Sequence, residues 1–84
     1  MKNKILIKLS VPEIDEEYDI FIPINKRIGN IILLTNKAIT EFSNGEYSLK
    51  DTYSLYNKET GVRYDERLLV RQTDIRNGTN IVLM

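Results

Sequence analysis

Eighty-four residues leave room for one domain with one core, because a chain of this size buries only about two thirds of the surface that its unfolded form exposes. Hydrophobic residues make up 42% and charged residues 29%, which excludes a disordered chain; twelve basic against twelve acidic side chains exclude the strongly positive field of a nucleic-acid binder. With no cysteine and no histidine the chain lacks disulfides, thiolate nucleophiles and the commonest general base.

The basic start Met1-Lys2-Asn3-Lys4 leads into an apolar run that Lys8 interrupts. That run is too short for a signal peptide or a membrane span, so a cytoplasmic protein is expected. Ile5, Ile7 and Leu9 alternate with Leu6 and Lys8, the period of two that marks a strand. Pro12 and the acidic run Glu13, Asp15, Glu16 and Glu17 break the pattern as a solvated loop. The alternation resumes at Tyr18, Ile20, Ile22 and Ile24, a second strand expected to run antiparallel to the first. Pro23 cannot donate to a ladder, which places this strand at a sheet edge.

From Ile28 to Phe42 the residues Ile28, Ile31, Ile32, Thr35, Ile39 and Phe42 fall on one stripe at helical spacing, and that stripe is expected to cover the sheet. Asn25 is a candidate cap for this helix and Arg27 a poor one, while Asn44-Gly45 tolerates the left-handed turn that ends a helix. Leu33 and Leu34 project off the stripe, to be covered by residues 46–51 or offered to a partner. Tyr53 and Leu55 alternate with Ser54 and Tyr56, and the turn 57–61 leads to Val62 and Tyr64, which predicts a short hairpin. Residues 65–76 read as irregular chain carrying the core candidates Leu68 or Leu69, Val70 and Ile75, with Arg63, Arg67, Arg71 and Arg76 as a solvated surface. Asn77-Gly78 makes a turn into a last strand with Ile81 and Leu83 inward and Val82 and Met84 outward.

One helix among four or five strands predicts an α+β fold, a mixed sheet with the helix across one face and the first and last strands parallel at its centre. This is the ubiquitin-like β-grasp arrangement, spanning residues 1–84 as one domain. Gly61, Tyr64, Val70, Ile75, Asn77-Gly78-Thr79, Ile81 and Leu83 resemble the closing half of the YukD and EsaB family. Tyr18-Asp19-Ile20-Phe21-Ile22-Pro23, followed by Ile28 and Ile31-Ile32, is similar to that family's second strand and helix start. The resemblance implies a small, cytosolic, non-conjugated accessory of type VII (ESX-type) secretion in Gram-positive bacteria. It also implies a protein partner, with a membrane component of the same machinery as the natural candidate.

No catalytic, cofactor-binding or metal-ligating residue is expected, and neither is a small-molecule substrate or direct membrane insertion. Adjacent acids such as Glu16 and Glu17 point apart, Glu13, Asp15 and Glu17 lack a glycine-bent calcium loop, and Gly29 alone makes no phosphate cradle. Ubiquitin-like proteins that are conjugated or carry sulfur use a flexible Gly-Gly arm, whereas this sequence reads Ile81-Val82-Leu83-Met84. The expectation is a protein that is bound and not attached; a sulfur carrier or protein modifier is the alternative. Strand alternation puts Leu6, Phe21 and Val82 on the sheet face away from the helix, with Tyr56 joining their row and Lys8 at its rim. These five residues are the candidate partner-binding surface.

Overall fold

A computed structural model describes residues 2–45 and 52–84. Its elements in chain order are β1 (Lys4–Val11), a 3-10 turn (Pro12–Ile14), β2 (Glu16–Pro23), α1 (Ile28–Phe42), β3 (Leu55–Asn57), a second 3-10 turn (Val70–Gln72) and β4 (Asn80–Leu83). Four strands form one mixed sheet in the order β2-β1-β4-β3, with β1 antiparallel to β2, β1 parallel to β4 and β3 antiparallel to β4. The chain therefore has the α+β ubiquitin-like fold, with β2, the strand carrying Pro23, at one edge.

Both strands of the first hairpin run longer than the sequence alternation suggests. The register pairs Leu9 with Tyr18, Ser10 with Glu17 and Val11 with Glu16, so Glu16 and Glu17 belong to β2 and not to the loop. The loop shrinks to the 3-10 turn, closed by Asp15 in the left-handed region at φ 52°. An aspartate tolerates that conformation better than most residues.

The core is built almost wholly of aliphatic side chains: Ile7, Leu9 and Val11 from β1, Ile22 from β2, Leu55 from β3, and Ile81 and Leu83 from β4. They pack with Ile28, Ile31, Ile32 and Ile39 of the helix and with Tyr64, Val70 and Ile75 of the long crossover. Of the crossover candidates, Val70 and Ile75 are buried, Leu69 is half-buried and Leu68 is exposed. Phe42 departs from expectation. It lies on the predicted stripe, yet it is 54% exposed. As the last helical residue it projects beside the edge strand, where its ring meets that of Tyr18 at 5.4 Å between centroids. Leu33 and Leu34 are exposed as well, and residues 46–51, the cover suggested for them, lie outside the described residues.

The helix ends as its sequence predicts, with Asn44 at φ 54° and Gly45 at φ 85°, and with the Gly45 N–H donating to the Thr40 carbonyl. Its start is not capped by Asn25 or by any side chain. The crossover supplies the acceptors instead: the Ile28 N–H donates to the Leu68 carbonyl at 2.8 Å and the Gly29 N–H to the Glu66 carbonyl at 3.0 Å. The Arg27 guanidinium also donates to the Arg67 carbonyl, and the Val70 N–H returns a bond to the Lys26 carbonyl. A helix start leaves four unpaired N–H groups, and here backbone carbonyls from a distant segment satisfy the first of them.

The predicted hairpin forms around Gly61, at φ 75°, but its return arm is a single bridge from Tyr56 to Arg63. Gly78, at φ 86°, makes the predicted turn into β4 and donates its N–H to the Leu6 carbonyl at 2.8 Å. The Leu6 N–H in turn donates to Asn77 Oδ1 at 2.8 Å, so the turn is pinned against β1 from both sides.

Candidate interaction face of the sheet

The sheet face away from the helix carries the five candidate residues, and its register decides how they are grouped. Leu6 pairs directly with Phe21, and Val82 pairs directly with Tyr56. The parallel ladder, however, sets Ser10, and not Leu6, beside Val82. Leu6 and Ser10 are separated by about 13 Å along an extended strand. The expected single apolar row is therefore two separate pairs, Phe21 with Leu6 and Val82 with Tyr56. Alternation fixes the face of each residue but not its height, and the height follows from where Gly78 docks on β1.

Lys8 is likewise not at the rim. It lies between Asp19 and Asn80 in the polar row that divides the two apolar pairs. Phe21 is 50% exposed and Leu6 38%, whereas Val82 and Tyr56 are half-buried. The first pair thus offers the larger apolar surface to a partner.

Beside Val82 lies a polar cluster that the strand alternation does not announce. Lys58 Nζ donates to Glu17 Oε2 at 3.2 Å and to Ser10 Oγ at 3.3 Å, and Ser10 Oγ donates to the same carboxylate at 3.1 Å. Lys58 reaches this place because its backbone N–H is held by the Asn80 carbonyl across β4. The hydrogen bond from Lys58, then the one from Ser10, holds the Glu17 carboxyl below its ordinary range. A hollow of about 630 Å³ lies over this cluster and beside Val82. Only pairing across the sheet brings residues 10, 17 and 58 together, so no sequence motif marks them.

The remaining polar contacts are structural. The Tyr64 hydroxyl donates to Asp74 Oδ1 at 2.8 Å and accepts from Asn57 Nδ2 at 3.1 Å, tying the hairpin to the crossover. Burial, then the bond to Asp74, pushes its pKa up to about 12. Arg63 pairs with Glu66 and Arg67 with Asp65, so these two of the recurrent arginines are engaged in local ion pairs. The two bonds from Arg67, side chain before backbone, lower the Asp65 carboxyl from its ordinary 3.8 to about 2. A depressed carboxyl stabilises the fold above its unfolded pKa and loses that contribution as pH falls through the folded one. A carbon-detected NMR titration should accordingly find the Asp65 midpoint near 2, returning towards 3.8 in Arg67→Ala. An unchanged midpoint in that variant would show that the ion pair is not formed in solution.

Among the described residues no group of three or more acidic, histidine or cysteine side chains is placed to hold a metal ion, and no helix is long and apolar enough to cross a membrane.

The geometry can be compared with proteins of known structure. No family model matches the chain, and no curated protein matches it in sequence. Solved structures do match, and the likeness defines the class as a ubiquitin-like fold. The chain is similar to the ubiquitin-like domain of the Mycobacterium tuberculosis type VII secretion protein EccD1, with a TM-score of 0.76 and 8% identity over 95% of this chain and 96% of that one. It is also similar to part of the MycP5-free ESX-5 inner membrane complex in state II, with a TM-score of 0.70 and 13% identity over 98% of this chain and 21% of that one. A third likeness is to a structure of molecular mimicry of SUMO in DNA repair, with a TM-score of 0.73 and 15% identity over 100% of this chain and 94% of that one. Identities this low establish the shared fold alone.

Proposed function

We propose that this chain is a non-enzymatic ubiquitin-like accessory of a Gram-positive type VII secretion system, acting in the cytoplasm by docking on a protein component of the machinery at the membrane. The observation that carries the reading is the likeness over nearly its whole length to the EccD1 ubiquitin-like domain, with a second likeness inside the ESX-5 inner membrane complex. The sequence resemblance of the β2, helix-start and β4 segments supports the same assignment. A partner would be gripped noncovalently through the sheet face, with Phe21 and Leu6 as the principal apolar contact and Tyr56, Val82 and Lys8 beside it.

Deletion of the gene and complementation with a tagged copy test the proposal. Export of the small helical substrates of the system should fall in the deletion strain and return with the tagged copy, which should co-purify with a membrane component of the machinery. Unchanged export together with no such co-purification would overturn it.

A further inference from the structure

The exposed edge of β2 has a phase that can be worked out. In an antiparallel pair, residues opposite one another alternate between those that exchange hydrogen bonds and those that do not. The Ile24 N–H donates to the Asn3 carbonyl at 3.0 Å, which makes that opposed pair a bonded one. Counting along the register, Ile22, Ile20 and Tyr18 spend their backbone groups on Ile5, Ile7 and Leu9. Phe21, Asp19 and Glu17 then aim their N–H and C=O groups away from β1, where the sheet ends. Among the described residues no backbone group bonds to them, and a row of such groups is a template for another strand.

The space beside that row has a definite chemistry. Between the edge and the helix runs a groove of about 450 Å³ whose walls are mainly the apolar side chains of Ile20, Ile22, Leu34, Ala38 and Phe42, with Lys4 at the end where β2 closes on Pro23. An added strand would send alternate side chains into this apolar groove. Its other side chains would lie next to Glu17, Asp19 and Phe21, on the outer face. Among the described residues Asp19 makes no ion pair there, although Lys8 stands opposite it. Two carboxylates stand in successive outward positions, Asp19 and Glu17, the latter sharing its Oε2 with Lys58 and Ser10, and together they favour cations on the occupant. They disfavour a second copy of this edge, which would bring Glu16, Glu17 and Asp19 against the same residues, with Pro23 shortening the pairing.

We infer that the β2 edge receives an extended segment of a partner protein by strand addition, with apolar residues entering the groove against α1 and alternating with lysine or arginine beside Glu17 and Asp19. The inference concerns the strand edge and holds whichever machine the chain serves.

The test uses the full chain, isotope-labelled, and a short synthetic peptide alternating lysine with valine and isoleucine; its glutamate counterpart is the control. The basic peptide should shift resonances of residues 17–22 and 34–42. It should slow hydrogen exchange at the Glu17, Asp19 and Phe21 amides and leave those of Tyr18 and Ile20, already bonded, unchanged. Phe21→Pro removes an outward N–H that β1 does not use and should weaken binding about tenfold or more while the fold persists. Ala38→Arg, which fills the groove with a cation, should do the same and decides the matter if the proline variant does not fold. Several results would overturn the inference: binding weaker than about 1 mM, equal binding of the glutamate peptide, shifts centred on Lys8 and Val82, or unchanged affinity in a folded variant. A concentration-dependent dimer protecting the same amides without peptide would also overturn it, by making a second copy the occupant.

Discussion

Replacing Ile81 with alanine is expected to destabilise the fold by about 2–5 kcal/mol, the range for removing a large aliphatic side chain from a close-packed core. The side chain is fully buried, and its strand lies between β1 and β3, with Leu9 and Asn57 as its register partners. A domain of this size is stable by roughly 5–15 kcal/mol in total, so the variant forfeits a large share of that and is partly unfolded at moderate denaturant. Val82→Ala, one position along the same strand but facing outward, should cost less than about 1 kcal/mol. Urea titrations of the two variants read the contrast directly. Equal losses would mean that β4 does not present alternate residues to the core.

The second large effect concerns binding. Leu6→Ser with Phe21→Ser should weaken the proposed docking by about 2–4 kcal/mol, or some thirtyfold to a thousandfold, the scale on which central apolar contacts act at protein interfaces. The fold should survive, because both side chains are exposed on the sheet and neither belongs to the buried core. Tyr56→Ser with Val82→Ser should weaken docking less, since that pair is more buried within the sheet and is flanked by the Lys58, Ser10 and Glu17 cluster. The two double variants are separable because about 13 Å of strand divides them. Titration against the purified membrane component, with circular dichroism to verify folding, measures both. Equal affinity of the Leu6 and Phe21 variant and the parent would remove this face from the interface.

Much of the architecture was legible because local and long-range preferences agree. The period of the apolar residues sets α1 at Ile28–Phe42, Asn44 and Gly45 end it, and the alternation of Ile81 and Leu83 places β4 inside the sheet. The features that escaped all depend on relations between segments distant in sequence. Nothing near Arg27 signals that carbonyls of Glu66 and Leu68 will cap the helix, because a backbone carbonyl has no residue signature. Phe42 carries the right spacing for burial, but the sheet runs out beneath it at the edge strand. The five candidate residues share one side of the sheet, as their alternation predicts, but not one row, since the offset between β1 and β4 comes from the docking of the Asn77-Gly78 turn on Leu6. Asn36, buried on the helix, gave no sequence sign of being enclosed.

The borrowed cap at the start of α1 also bears on how the chain reaches its fold. Arg27 finds its acceptor on a residue 40 positions further along, and the Ile28 and Gly29 amides depend on the same segment. Until that segment docks, the Ile28 and Gly29 amides have no partners except water, so they should gain protection only late. The entropy of closing so large a loop is spent before those bonds return anything, so the first turn is expected to gain protection later than the rest of the helix. Substitutions in residues 66–70 should therefore delay that protection as well as weaken the native state.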